Sequence, residues 1–387
     1  MEVGPTERPG PKLTMKLLVV SAVAGLIFSL AGTTPAHKAK TEANPGEKIE
    51  KSISVTPQVT VTLCVASGTL TVRGWEKGEL RVRSSDAGSI ELRRLDKAKD
   101  PSTPSSRIDV MVLDASSKIS AKADCQALAD VEMEVPAGAT VQVQTRDGDI
   151  SISGVAGAYA GSQNGNITIE RATRVVEAGS VGGSIELKDS SGRVNLSSAG
   201  GVVEVANVKP ATGEDTFEVG TVSGDITLDR VSNPKVMAKT VNGTVTMSGP
   251  LARSGNYSFT NMTGDLVLAM PHDASFQLNA KVSERRAIVS DFPLKYIEMP
   301  VPPAPATPAP GKPGAVSPPS PATPPKTPVA KGGQPPQKTG PIIQPIPVEK
   351  PTVVVPYVLR RVNAVCGSGD ATISVASFGG TVRLKKI

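Results

Sequence analysis

Four aspartates sit where a short phrase of this sequence turns: Asp147, Asp149, Asp225 and Asp265. Carboxylates that recur on one side of a repeat can do two kinds of chemistry. On one face of a parallel β-helix they cleave polysaccharides, one acting as acid and another as base or nucleophile. In the turns of a nine-residue repeat they hold calcium. The calcium repeat needs a double glycine with an acid in each copy. Here the turn position varies among Asp, Asn, Ser, Arg and Thr. A cleft enzyme needs longer loops on one side, and these turns are short. Asp and Asn also suit tight turns for conformational reasons alone.

Other reactive side chains are scarce. The 2 histidines are His37 and His272, and no Gly-x-Ser-x-Gly elbow is present to pair with a histidine base. The 3 cysteines, Cys64, Cys125 and Cys366, lack metal-ligand spacing. A Cys64–Cys366 bond, a Cys64–Cys125 bond and three free thiols all stay open. Trp75, the single tryptophan, reads as a packed end of the core rather than a binding platform. The expectation is therefore a non-enzymatic protein with no catalytic, cofactor-binding or metal-binding residue.

The elements that must position these residues come from one repeated phrase: glycine, polar, apolar, polar, apolar. It reads Gly148-Asp-Ile150-Ser-Ile152, Gly165-Asn-Ile167-Thr-Ile169 and Gly183-Ser-Ile185-Glu-Leu187. It returns at Gly192, Gly201, Gly224, Gly243 and Gly264. Residues two apart on a strand share a face, so Ile150 and Ile152 point one way and Ser151 the other. The glycine occupies a turn, where a positive φ or a close backbone approach is tolerated. Gly165, Gly183 and Gly201 are 18 apart with Gly192 between, and Gly224 to Gly243 is 19. Two units of about nine residues thus make a coil of eighteen to twenty residues. The expected fold is all-β, a β-solenoid or β-helix-like stack of short strands with about two strands per coil. An antiparallel β-sandwich, with strands every eight to twelve residues, is the alternative.

Composition fits such a stack. Aromatics are only 3 %, so a core must be built from Val, Ile, Leu and Ala. The net charge of +6 is scattered along the chain, which argues against nucleic acid as a partner. Residues 1–36 read as a leader and secretory signal. Lys12 and Lys16 precede the apolar stretch Leu17–Ala31, with Met15 as an alternative start and cleavage after Ala31 or Ala36. That stretch is short for a membrane span, so no stable membrane insertion is expected after cleavage. The expected location is exported: periplasm, cell surface or extracellular.

The β domain spans residues 48–299. Its early phrases at Gly68, Gly78 and Gly88 step by ten and suggest that the repeat begins there. Ala121–Ala129 reads as a short helix or a loop. Residues 300–356 hold twenty of the 34 prolines and read as a disordered insertion. The phrase resumes at Gly369 and Gly380, so residues 357–387 are expected to fold back onto the Asp273–Pro293 end and close the stack.

With these residues in view, the chain resembles the bacterial "putative adhesin" domain family. The matching stretches are Ser67-Gly-Thr-Leu-Thr-Val-Arg-Gly-Trp75, Val135-Pro-Ala-Gly-Ala139, Thr221-Val-Ser-Gly-Asp-Ile226, Ser258–Leu268, Ser290-Asp-Phe-Pro-Leu294 and Ala376-Ser-Phe-Gly-Gly380. The resemblance covers about Ser52–Leu294 and Tyr357–Ile387, and the proline insertion departs from it. It implies an exported β-rich envelope or surface protein and carries over no catalytic residue. The functional expectation is an adhesin-like binding or scaffold module whose partner is a surface glycan or an envelope protein. The alternatives are a carbohydrate-active β-helix enzyme and an envelope-stress sensing domain.

Overall fold

The structure is a computed structural model that describes residues 48–85, 87–96, 100, 102–113, 125–283, 288–297 and 359–387. The expected signal segment and proline insertion lie outside the described residues. Among those residues every regular element is a strand.

The strands form two facing sheets, and successive strands alternate between them. Thr140–Asp147, Gly157–Ser162, Val175–Ser180, Arg193–Ser198, Thr216–Ser223, Lys235–Asn242 and Asn256–Thr263 pair in parallel to make most of the front sheet. Ile150–Ser153, Ile167–Glu170, Ile185–Lys188, Val203–Val208, Ile226–Val231, Val245–Ser248 and Leu266–Met270 do the same in the back sheet. Parallel neighbours need a long crossover. Here each crossover is the strand of the opposite sheet. Register follows the repeat: Ile167 lies beside Ile185, which lies beside Val203. The solenoid-like, all-β reading is thereby met, and the antiparallel sandwich is not.

The inward residues of both sheets form one continuous apolar core. Val141, Val143, Ile150, Ile152, Ile167 and Ile169 are at or near zero exposure. Toward the C-terminal coils Phe217, Tyr257, Phe259 and Phe276 fill the same layer.

The corner after each front strand explains the repeated glycine. Successive phrase glycines stack on one another's carbonyls. A Cβ on Gly165 would meet Gly148 O at 1.8 Å, and one on Gly183 would meet Gly165 O at 2.0 Å. The column continues through Gly201, Gly224, Gly243, Gly264 and Gly380. Close approach of adjacent coils, rather than turn conformation, excludes a side chain at Gly165 and Gly183. A buried hydroxyl locks several of these corners. Ser180 Oγ accepts from Gly183 N at 2.9 Å and donates to Gly165 O at 3.1 Å. Ser162 and Ser198 repeat these contacts, and Thr221, Thr240, Asn261 and Ser377 extend the same row.

Both ends depart from a simple stack. Leu70–Trp75 lies in parallel register beside Ile150–Ser153, as the phrase implies. Glu79–Ser84 and Ser89–Arg94 instead run antiparallel to their neighbours. Glu79–Ser84 joins the back sheet and Ser89–Arg94 the front sheet, so the chain still crosses between the sheets there but with strand direction reversed. Ser67 bridges Leu128 in the Ala121–Ala129 stretch, whose residues 121–124 lie outside the described set. At the other end, Ala371–Ser377 sits between Asn256–Thr263 and Phe276–Ser283, parallel to both. Val382–Lys386 sits likewise between Leu266–Met270 and Ile288–Ser290. The last coil is thus inserted into the stack, not laid on its end. Leu359–Cys366, antiparallel on Phe276–Ser283, and Lys295–Tyr296 beyond it form the outer margin.

Candidate functional site

Side chains that point away from the core on the front sheet line up in rows along the stack, because parallel register places like positions side by side. One row runs Gln144, Gly161, Gly179, Ser197 and Gly220. The next runs Gln142, Tyr159, Glu177, Asn195 and Glu218. Together they form a shallow trough of about 420 Å³, floored by the small residues and walled by the larger ones. At Gln142 and Gln144 it joins a second hollow of about 340 Å³ that reaches Thr62, Cys64, Asp109 and Met111.

The glycines of this floor differ from those of the corner. None has a positive φ. A Cβ on Gly161 would first meet Gln144 Cγ at 3.6 Å, and one on Gly220 would meet Lys239 O at 3.9 Å. At Gly161 and Gly220 the fold has room for a side chain, whereas a Cβ on Gly179 would meet Ser197 Oγ at 3.3 Å. Glycine inside a strand weakens it and often marks a place where a ligand approaches the backbone. The walls are equally uncommitted: the side chains of Gln142, Gln144, Tyr159, Glu177, Asn195 and Ser197 make no hydrogen bond or ion pair among the described residues. At the far end Asp109 accepts from Thr62 Oγ1 at 2.8 Å and pairs with Arg93.

The residues with candidate chemistry do not gather here. Asp149 Oδ1 accepts from the backbone N–H of Asn166 in the next coil at 2.8 Å. Asp225 does the same for Thr244 at 2.7 Å, and Asp265 for Thr381 at 2.9 Å. Asp147 accepts from Asn164 Nδ2 at 2.6 Å. These four carboxylates tie one coil to the next at the corner. His272 is exposed in the turn before Phe276. No three His, Cys, Asp or Glu side chains among the described residues converge to hold a metal ion. Trp75 donates from Nε1 to Glu79 O at 2.8 Å, and Lys77 and Arg81 lie over its ring. Of the open cysteine pairings the structure takes Cys64–Cys125, with Cα atoms 4.7 Å apart. Cys366 is buried and free, and burial pushes its thiol up despite nearby Lys386.

Tyr159, Gly161 and Gly179 were not singled out from the sequence. A signal for them exists: glycine falls at outward strand positions where the other coils place Ser, Lys or Thr.

Fold and surface together define a class: an all-β, mostly parallel stack with a shallow trough on the outer face of its front sheet. Residues 130–284 match the family described as Toastrack DUF4097, a match in keeping with the resemblance to "putative adhesin" domains. The chain is similar to a crystal structure of a "putative adhesin" from Parabacteroides distasonis, at 11% identity and TM-score 0.36, covering 58% of this chain and 91% of that one. One from Parabacteroides merdae gives 11% and 0.33, covering 58% and 90%. A "putative cell adhesion protein" from Clostridium sporogenes gives 9% and 0.17, covering 88% and 100%. No curated protein matches the sequence. Among the described residues, no helix is long and apolar enough to cross a membrane.

Proposed function

We propose that this protein is an exported, non-enzymatic binding module of the cell envelope that holds a surface glycan along the outer face of its front sheet. One observation carries the reading: the trough over Gly161, Gly179 and Ser197 combines a backbone floor with unpaired amide, hydroxyl and carboxylate groups and one aromatic ring. Stacking on Tyr159 and hydrogen bonds to Gln142, Gln144 and Asn195 are the contacts that a chain of sugar rings uses. The strand spacing of about 4.8 Å presents these groups at a regular interval along the trough. Asp149, Asp225 and Asp265 cap backbone amides at the corner, outside the trough lining.

The test is binding of the full chain to a panel of bacterial envelope polysaccharides, compared with Tyr159→Ala and Gly161→Val. Both substitutions should abolish binding, while Gly161→Val leaves the fold as stable as before, because the floor has space and valine favours strands. Binding that survives both changes overturns the assignment of the trough. Protease shaving of intact cells, followed by detection of fragments from Ser52–Leu294, tests export. Protection even after the envelope is opened would sink the exported location.

A further inference from the structure

The front sheet is divided electrically. Six neighbouring strands at its C-terminal end carry no carboxylate at all: Lys235–Asn242, Asn256–Thr263, Ala371–Ser377, Phe276–Ser283, Leu359–Cys366 and Lys295–Tyr296. The other half bears Asp109, Glu177 and Glu218 on the same outer face.

The cations of the acid-free half are placed in register. The row that forms the trough floor continues from Gly220 to Lys239, Thr260, Ala376, Lys281 and Arg361. Lys281 and Arg361 face each other directly across an antiparallel pair, an arrangement that destabilises a sheet when nothing neutralises it. Among the described residues Lys239, Lys281 and Arg361 have no ion-pair partner. Lys235 and Lys295 flank the other side, two rows away. Between the two lines of cations lies an uncharged row that includes Ser258, Ser374, Asn279 and Asn363. It is the direct continuation of the row that holds Tyr159.

We propose that the ligand is a linear, partly acidic polysaccharide, whose carboxylate groups lie between these cations while its uncharged rings continue past Glu218 and Glu177 over Tyr159 and the glycine floor. This rests on the glycan-binding reading and specifies it. Charge complementarity selects a polyanion. The straight row, with Lys239 and Lys281 about 14 Å apart over three strand spacings, suits an unbranched chain lying along the stack. Hydroxyls and amides of Ser258, Ser374, Asn279 and Asn363 line the row between the cations and suit sugar hydroxyls, while Val241 and Met262 lie exposed beside Lys239 and Thr260.

The experiment measures affinity of the full chain for polygalacturonate and for the same polymer with its carboxyls reduced to alcohols. The variants are Tyr159→Ala and the double change Lys281→Gln, Arg361→Gln. Circular dichroism checks each fold; the double variant removes a repulsion and should not unfold. The acidic polymer should bind, weaken with salt, and lose at least about tenfold in the double variant, the worth of one charge-assisted contact. The reduced polymer should bind the parent protein only as well as the acidic one binds the double variant. Equal binding of both polymers, unchanged in the double variant but lost in Tyr159→Ala, overturns the acidic ligand and leaves the glycan reading standing. Failure of both polymers to bind overturns the two together. Binding to vesicles containing phosphatidylglycerol, with none to polygalacturonate, assigns the cations to lipid and also overturns the proposal.

Discussion

Replacing Gly183 with alanine should damage this protein far more than the same change at Gly161. At Gly183 the new methyl would sit 2.0 Å from Gly165 O and 2.5 Å from its carbonyl carbon, both backbone atoms that cannot swing aside. The two coils would have to part by at least about 1 Å at this corner, because packed interiors hold no spare space. That opening stretches the bond from Gly182 N to Gln163 O, now 2.7 Å, and strains the Ser180 contacts to Gly183 and Gly165. Two weakened buried hydrogen bonds cost about 2 kcal/mol, and overpacking adds roughly 1–3 kcal/mol. The gain from a stiffer unfolded chain offsets about 0.5–1 kcal/mol. The net expectation is about 3 kcal/mol of destabilisation. At Gly161 the methyl meets only Gln144 Cγ at 3.6 Å, so Gly161→Ala should be neutral or slightly stabilising. Guanidinium unfolding followed by far-ultraviolet circular dichroism reads the difference. Hydrogen exchange across residues 163–185 is needed beside it, because a stack of repeats can open locally. A cost below about 1 kcal/mol at Gly183, or an equal cost at Gly161, would refute the carbonyl-stacking argument.

Other outcomes follow from the same geometry. Ser180→Ala should cost about 1–3 kcal/mol, since it leaves Gly183 N–H and Gly165 C=O buried without their partner; denaturant midpoints check this. Breaking Cys64–Cys125, which spans a sequence separation of 61, should lower stability by about 4 kcal/mol on the chain-entropy account; a Cys64→Ser, Cys125→Ser protein that unfolds at the parent's midpoint would contradict it. Cys366 should resist iodoacetamide at neutral pH until denaturant is added, because burial raises its pKa and keeps it as the thiol; mass spectrometry before and after unfolding reads this. Deleting residues 371–387 should unpair Phe276–Ser283 from the body of the stack, since the missing coil lies between them; protection of that strand from proteolysis in the truncated protein would show that the coil is dispensable.

The sequence by itself determined the coil. Alternation every second residue and a step of eighteen fix which side chains are buried and that each strand pairs with its like one coil away, since a one-residue slip would turn the apolar set outward. Ile150, Ile167 and Ile185 could be placed on one interior face from spacing alone. The turn aspartates were legible as turn residues, and their binding of the next coil's amides agrees with that plainer reading. What only the tertiary structure decided depends on contacts distant in sequence. Nothing local in Ala371–Ser377 says that it threads between two strands more than ninety residues earlier, because a phrase that fits one coil fits any gap of the same width. The Gly78 and Gly88 phrases have the right pattern and still alternate between the sheets, yet their strands run antiparallel to partners that the phrase does not specify. The phrase marks the corner glycines, but only the Gly165 carbonyl beneath Gly183, and the open space above Gly161, tell a structural necessity from a surface kept clear. The rows that join Tyr159 to Asn363 and Gly161 to Arg361 exist only because nine strands share one register, which no single strand encodes.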